Sequence, residues 1–220
     1  QQGNYIIACY VLLAAGAFDS VDGKLARMLG IPTNFGKEID SLADMVSFCL
    51  APALLVYALY TQNMPGISGE VIASVPLIMG AIRLARFNTI EDNPTDSFIG
   101  LPTPVNALAI ASLVLFMEHI KLANPEYSQP RLLLPLILSL SYLMVSRVKF
   151  PKFPILNFKA GKQNNYRLFG VILFLICFSI AIFTGYPYRV LALFLSCYIL
   201  SGLVMHVINL GNIETKSQET

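Results

Sequence analysis

Long apolar runs alternate with short polar stretches along this chain of 220 residues. Each run is roughly 17–22 residues long, enough for a helix rising about 1.5 Å per residue to cross a hydrocarbon core about 30 Å thick. A membrane β-barrel would show short segments of strict alternation instead. The pattern therefore predicts an all-α, polytopic transmembrane helix bundle. Its seven predicted spans cover residues 5–22, 45–61, 71–87, 105–121, 131–147, 167–185 and 189–209.

The basic residues favour one orientation of this bundle. The connection 146–167 has no acidic residue and carries Arg147, Lys149, Lys152, Lys159, Lys162 and Arg167. Cytoplasmic connections are enriched in Lys and Arg, so this one should be cytoplasmic. Counting spans outward from it puts residues 23–44 and 88–104 on the same side. The first span then starts outside, so we expect one further helix upstream and eight in the full-length protein.

The composition is typical of a single membrane domain, which we expect to cover residues 1–220. Hydrophobic residues make up 55% of the chain and charged residues 13%, which leaves little room for a soluble domain. Residues 210–220 are predicted to form a polar cytoplasmic tail. The net charge of +2 indicates no class of partner by itself. We expect membrane lipids around the chain and no nucleic acid partner.

The aspartates are concentrated in one part of this apolar chain, where four of the six fall within 26 consecutive residues. A helix through the first of them presents one face at i, i+3, i+4 and i+7 from Asp19. That face carries Asp22, Gly23 and Ala26. The two small residues leave room for a ligand to approach the backbone, and Arg27 lies at the edge of the face.

The remaining two acids of this group stand at i and i+4 on a second predicted helix, which starts near Gly36. These acids are Asp40 and Asp44, and they also share one face. The connection 28–35 is short, so the two helices should be antiparallel. Their acidic faces are then expected to meet near the cytoplasmic interface.

Four carboxylates gathered there would repel one another and be poorly solvated unless cations neutralised them. Oxygen ligands suit Mg²⁺ or Mn²⁺, and two ions beside an arginine are typical of phosphoryl transfer. Two other interpretations stay open. One is a solvated helix end that pairs with Lys24, Arg27 and Lys37. The other is a divalent-cation transporter, although transporter acids usually lie near the bilayer midplane in repeated halves, whereas these occur once.

The acids and the small residues form one motif, Asp19-x2-Asp22-Gly23-x2-Ala26-Arg27-x8-Gly36-x3-Asp40-x3-Asp44. It resembles, without a departure, the signature of the CDP-alcohol phosphotransferases. The resemblance implies an enzyme that transfers the phosphatidyl group from a CDP-linked lipid to an alcohol and releases CMP. It also implies roles for single residues: Asp19, Asp22, Asp40 and Asp44 as metal ligands, Asp44 also as catalytic general base, and Asp19, Gly23, Ala26, Arg27 and Gly36 as contacts of the CDP-lipid.

A second feature bears on the acceptor alcohol. The stretch 81–89, AIRLARFNT, ends the third predicted span and is followed by GLPTP at 100–104. These stretches resemble the phosphatidylserine synthase branch of the family. The resemblance implies CDP-diacylglycerol and L-serine as substrates, and Arg83, Arg86 or Asn88 as contacts of the serine carboxylate. Two arginines snorkelling at a helix end are the structural alternative.

The resemblance leaves other substrates open within the family. Glycerol 3-phosphate or inositol phosphate would replace serine as acceptor, and CDP-archaeol would replace the diacylglycerol donor. The resemblance also implies a homodimer in the bacterial inner membrane, with the active site facing the cytoplasm.

Overall fold

The computed structural model describes residues 4–28, 33–89, 97–123, 133–151, 162–185 and 187–218. Within these ranges the chain is almost entirely helical, which confirms the predicted all-α class. The helices are α1 (Tyr5–Met28), α2 (Asn34–Asp44), α3 (Ala51–Val56), α4 (Ser68–Thr89), α5 (Thr103–Ala123), α6 (Leu133–Val145), α7 (Lys162–Thr184) and α8 (Pro187–Gln218). Two π-helical turns, π1 (Met45–Leu50) and π2 (Tyr57–Thr61), join α2 and α3 into one continuous rod, so seven helical segments result.

Each of the seven predicted apolar runs coincides with one of these segments, but the second segment starts earlier than its run. The run was predicted from residue 45, whereas the rod begins at Asn34. Asp40 and Asp44 therefore precede the apolar part of the same rod. The widened turn π1 lies between Asp44 and Pro52, where the Ala51 amide donates to the Val46 carbonyl. Proline lacks an amide donor and its ring crowds the preceding turn, which is relieved by such a local widening.

The chain is an integral membrane protein by the length and composition of its helices. Among the described residues, four helices are long and apolar enough to cross a membrane: Phe35–Thr61, Ser68–Thr89, Thr103–Leu122 and Pro187–Ile208. Three further apolar helices are shorter, Tyr5–Asp19, Leu133–Val145 and Leu168–Ala181. The exact number of spans, their orientation and the further helix expected upstream of α1 stay predictions.

The described residues divide into two compact units, and the first contains Gln1–Asn93 and Leu101–Ser146. In this unit α4 packs against α6 and π1, and α1 packs against α5. The close approach of α4 to π1 and α6 requires glycine at position 80, because a Cβ there would overlap Cys49 Sγ of π1 and touch Met144 of α6. A cluster of fully or nearly fully buried apolar side chains fills the interior, namely Val56, Ala73, Ile110, Leu134 and Ile137.

The second unit contains Pro94–Gly100 and Arg147–Thr220. Here β1 (Ser97–Ile99) pairs antiparallel with β2 (Lys149–Pro151), with Phe98 opposite Phe150. Phe150 is fully buried and stacks on Tyr198 of α8, whose hydroxyl donates to the Pro151 carbonyl at 3.1 Å. Neither strand was predicted. Helix α8 continues to Gln218, so most of the predicted polar tail 210–220 is helical. The assignment of residues 1–220 to one membrane domain stays a prediction.

Candidate active site

The N-terminal end of α2 is fixed by a side-chain cap. The Gly36 amide donates to Thr33 Oγ1 at 3.0 Å, and a Cβ on Gly36 would lie 3.0 Å from the same oxygen. A hydroxyl cap of this kind satisfies an amide that the helix itself leaves without a partner. The cap gives the Gly36 amide a structural role, and the predicted contact of Gly36 with the CDP-lipid stays a prediction.

Two of the predicted acids, Asp19 on α1 and Asp40 on α2, lie within electrostatic range of a third, Asp44. Asp44 is half-buried at the end of α2, Asp40 is exposed one turn before it, and Asp19 is half-buried on α1. The carboxylate of Asp44 interacts electrostatically with those of Asp19 and Asp40. Like charges that interact in this way repel one another, and a bound cation would relieve the repulsion.

The remaining residues of the motif continue α1 beyond Asp19. The side chains of Asp22, Gly23, Ala26 and Arg27 lie outside the described part of the structure. Among the described residues, no three His, Cys, Asp or Glu side chains converge as a ready metal-binding group. The donor chemistry nevertheless fits Mg²⁺ or Mn²⁺, which prefer carboxylate oxygens. The four aspartates therefore stay the predicted ligands.

Thr103 connects the acidic helix to α4. Its hydroxyl donates to Asp44 Oδ2 at 3.4 Å and accepts from Arg83 Nη1 at 3.4 Å. The side chain of Thr103 is fully buried at the start of α5. Both distances are longer than the usual range for hydrogen bonds of these types, so each contact is weak. Thr103 was not predicted as a site residue. The only sequence signal was its place within GLPTP.

Arg83 is the predicted acceptor contact that interacts electrostatically with one of the acids. Its charge interacts with the carboxylate of Asp44, and its guanidinium carbon lies 5.9 Å from the centre of the Phe87 ring. A cation over an aromatic face is held in place by the ring's quadrupole. Arg86 is half-buried in the last turn of the same helix. Arg83 is therefore the arginine that the structure brings to the site.

Asn88 is joined to α2. Its Nδ2 donates to Ser41 Oγ at 3.0 Å and to Glu38 Oε2 at 3.3 Å. These bonds join the end of α4 to the middle of α2 and so hold the two helices beside each other. They give Asn88 a structural role, while its predicted contact with serine stays a prediction.

Comparison with known proteins gives the same family as the motif. Residues 1–149 match the family model described as CDP-alcohol phosphatidyltransferase. The chain is 37% identical over 205 residues to the CDP-diacylglycerol–serine O-phosphatidyltransferase of Helicobacter pylori. The aligned residues cover 91% of this chain and 80% of that protein. It is 34% identical over 163 residues to the Bacillus subtilis protein of the same name, covering 72% of this chain and 85% of that protein.

An archaeal relative carries a related name. The archaetidylserine synthase of Methanothermobacter thermautotrophicus is 34% identical over 154 residues, which cover 68% of this chain and 60% of that protein. The family model covers well over half of the chain, and the relatives extend the similarity beyond it. The chain therefore belongs to the CDP-alcohol phosphatidyltransferase family.

Proposed function

We propose that this chain transfers the phosphatidyl group of CDP-diacylglycerol to L-serine, which gives phosphatidylserine and CMP. The observation that carries the proposal is the contact of Thr103 with both Asp44 and Arg83. It brings a carboxylate able to take a proton next to a cation able to hold an acceptor's carboxylate. The names of the bacterial relatives support serine as that acceptor.

In the proposed reaction the serine hydroxyl oxygen attacks the phosphorus that bears the diacylglycerol. The bond from that phosphorus to the oxygen of CMP breaks, and CMP leaves with the bonding electrons. Asp44 takes the hydroxyl proton, because an alcohol is a weak nucleophile near neutral pH and needs a positioned base. The hydrogen bond from Thr103 to Oδ2 orients the carboxylate for that transfer.

The predicted metal ligands are Asp19, Asp22, Asp40 and Asp44, and they would hold two ions of Mg²⁺ or Mn²⁺. When bound, such ions neutralise a pyrophosphate and stabilise the leaving phosphate. Arg27 adds a fixed positive charge beside the CDP group, and Gly23 and Ala26 leave space for it. Gly36 completes the predicted contacts of the CDP-lipid.

Arg83 is the proposed contact of the serine carboxylate. A guanidinium presents several donors in one plane and matches a carboxylate well. Arg86 is the second candidate from the same helix, and Asn88 is the weaker one because its amide already bonds α2. The phosphorylated acceptors, glycerol 3-phosphate and inositol phosphate, remain alternatives within the family.

The proposed setting of the reaction is a membrane, with both lipids entering from it. We place the active site at the cytoplasmic face of a bacterial inner membrane, because the basic connection 146–167 favours that orientation. We also propose a homodimer, with surrounding lipids as the other contacts of the chain.

Purified protein with CDP-diacylglycerol, labelled L-serine and Mn²⁺ tests the proposal. We expect CMP release that depends on serine, together with a labelled lipid product. Release driven only by glycerol 3-phosphate or inositol phosphate would overturn serine as acceptor. Replacing the donor by CDP-archaeol asks which lipid is preferred, since one relative is named an archaetidylserine synthase. Cation uptake into vesicles without any transferase activity would instead support a transporter.

A further inference from the structure

Asn106 is a fully buried polar residue on α5. Neither its amide nitrogen Nδ2 nor its oxygen Oδ1 has a hydrogen-bond partner among the residues that the structure describes. Its backbone is regular, since the amide donates to the Pro102 carbonyl at 3.1 Å. A buried carboxamide without partners is destabilising and is rare in native proteins. In a membrane protein such a side chain is commonly part of a functional site.

The position of Asn106 relates it to the proposed active site. It follows Thr103 by three residues, so it lies on the same side of α5 and about 4.5 Å further along the helix axis. The Thr103 hydroxyl contacts both Asp44 and Arg83. Asn106 is therefore about one helical turn from Thr103, the residue that joins the two groups proposed to act on the acceptor.

Another buried polar residue of the same helix is different. Ser112 is 2% exposed, and its hydroxyl donates to the Ala109 carbonyl at 2.9 Å. A serine in a helix interior commonly satisfies itself in this way. The short side chain of Asn106 does not have such a partner in the described residues, so its polarity has no structural explanation there.

The chemistry of an amino-acid acceptor supplies the partners that Asn106 lacks. Serine carries a carboxylate and an ammonium group beside its hydroxyl. Arg83 can only donate hydrogen bonds, so it holds a carboxylate and cannot hold an ammonium. A carboxamide has an oxygen that accepts and a nitrogen that donates. It is also neutral, so it adds no charge to the neighbouring aspartates.

We propose that Asn106 binds the amino-acid acceptor, with Oδ1 accepting a hydrogen bond from the acceptor's ammonium group. The carboxylate then lies toward Arg83, and the hydroxyl lies toward Asp44. This proposal rests on the proposed function, because it assigns a further contact within the same site. It makes the ammonium group, which glycerol 3-phosphate and inositol phosphate lack, a determinant of acceptor choice.

The test compares serine with 3-hydroxypropionate, which keeps the carboxylate and the hydroxyl but has no ammonium group. Wild-type protein, Asn106→Leu and Asn106→Ser are assayed with both acceptors, and Ser112→Ala is the matched control on the same helix. Thermal unfolding and the KM for the CDP-lipid are measured for each. The wild-type protein should prefer serine. In both Asn106 variants the preference, as a ratio of kcat/KM values, should fall by about 10-fold or more, as expected for a lost hydrogen bond to a charged group.

The outcomes separate this proposal from the function on which it rests. A lower preference for serine, with an unchanged KM for the CDP-lipid and unchanged values for Ser112→Ala, supports the acceptor contact. If wild-type protein uses serine but either folded variant keeps the full preference, Asn106 does not bind the acceptor. If both acceptors and the CDP-lipid weaken together as Tm falls, the role of Asn106 is structural and the proposal is wrong. A wild-type protein without serine-dependent CMP release contradicts the proposed function itself.

Discussion

The α1–α2 side and the α4–α5 side of the site contain different kinds of groups. The first carries carboxylates at half-buried or exposed positions, namely Asp19, Asp40 and Asp44. The second carries the half-buried cation Arg83 and the fully buried neutral side chain Thr103. Carboxylates that repel one another are suited to bind a metal ion, which neutralises them. A cation beside neutral hydrogen-bonding groups is suited to bind a small polar ligand. We therefore propose that one side acts on the phosphates and the other selects the alcohol.

Removal of divalent cations should have the largest effect on CMP release. We expect it to act through the acidic α1–α2 side of the site alone. Exhaustive treatment with a chelator is expected to reduce CMP release to background, because the pyrophosphate then lacks its neutralising charge. Addition of Mg²⁺ or Mn²⁺ should restore it. The measurement is CMP release at saturating serine. Full activity in metal-free protein would contradict the assignment of the aspartates as ligands.

Arg83→Ala should affect the acceptor side next most strongly. Loss of the guanidinium is expected to raise the KM for serine by about 10-fold or more, with a smaller change in the KM for the CDP-lipid. Arg86→Ala is the matched control, since Arg86 is on the same helix and the structure brings Arg83 to Asp44. If the two changes raise the serine KM equally, the assignment of Arg83 instead of Arg86 as the main serine contact is wrong.

Thr103→Val should have an intermediate effect, because it removes the hydroxyl and keeps the shape of the side chain. The rate constant kcat is expected to fall by about 5–10-fold, as Asp44 and Arg83 lose their shared partner. Thr103→Ser retains the hydroxyl and should recover most of the rate. If valine and serine variants are equally impaired, packing and not the hydrogen bonds explains the role of Thr103.

Asn88→Ala should have the smallest effect on turnover. The change removes the bonds to Ser41 and Glu38, so it should lower Tm by a few degrees while the serine KM stays within about twofold of wild type. Thermal unfolding and steady-state kinetics measure the two quantities. A raised serine KM at unchanged Tm would instead place Asn88 in the acceptor site.

The two sides also differed in how far the sequence predicted them. The acids of the α1–α2 side stand at short, regular spacings on neighbouring helices, and helical periodicity is enough to put them on two facing surfaces. The contacts of the α4–α5 side join residues 20 and 59 positions apart. Such contacts depend on how the helices pack, and no local pattern distinguishes Thr103 from any other threonine after a proline.

The fold shows the same limit. Each of the seven helical segments overlaps one of the predicted apolar runs, because a helix that crosses lipid needs about 20 mostly apolar residues in a row. The strands β1 and β2 are three residues each and pair across 50 to 54 positions, so no periodicity could develop in either. The start of α2 was predicted near Gly36 and lies at Asn34, where Thr33 Oγ1 accepts from the Gly36 amide.

Binding and turnover measured together on Asp44→Asn give the most direct test of the central claim that Asp44 is the base for attack by serine. Asparagine has the same shape but cannot take the proton, so kcat is expected to fall by at least about 100-fold. Affinity for the CDP-lipid should remain close to that of wild type. Glu70→Gln is the control, because Glu70 bonds Tyr57 instead of the site residues. Near-normal turnover of Asp44→Asn would contradict the assignment.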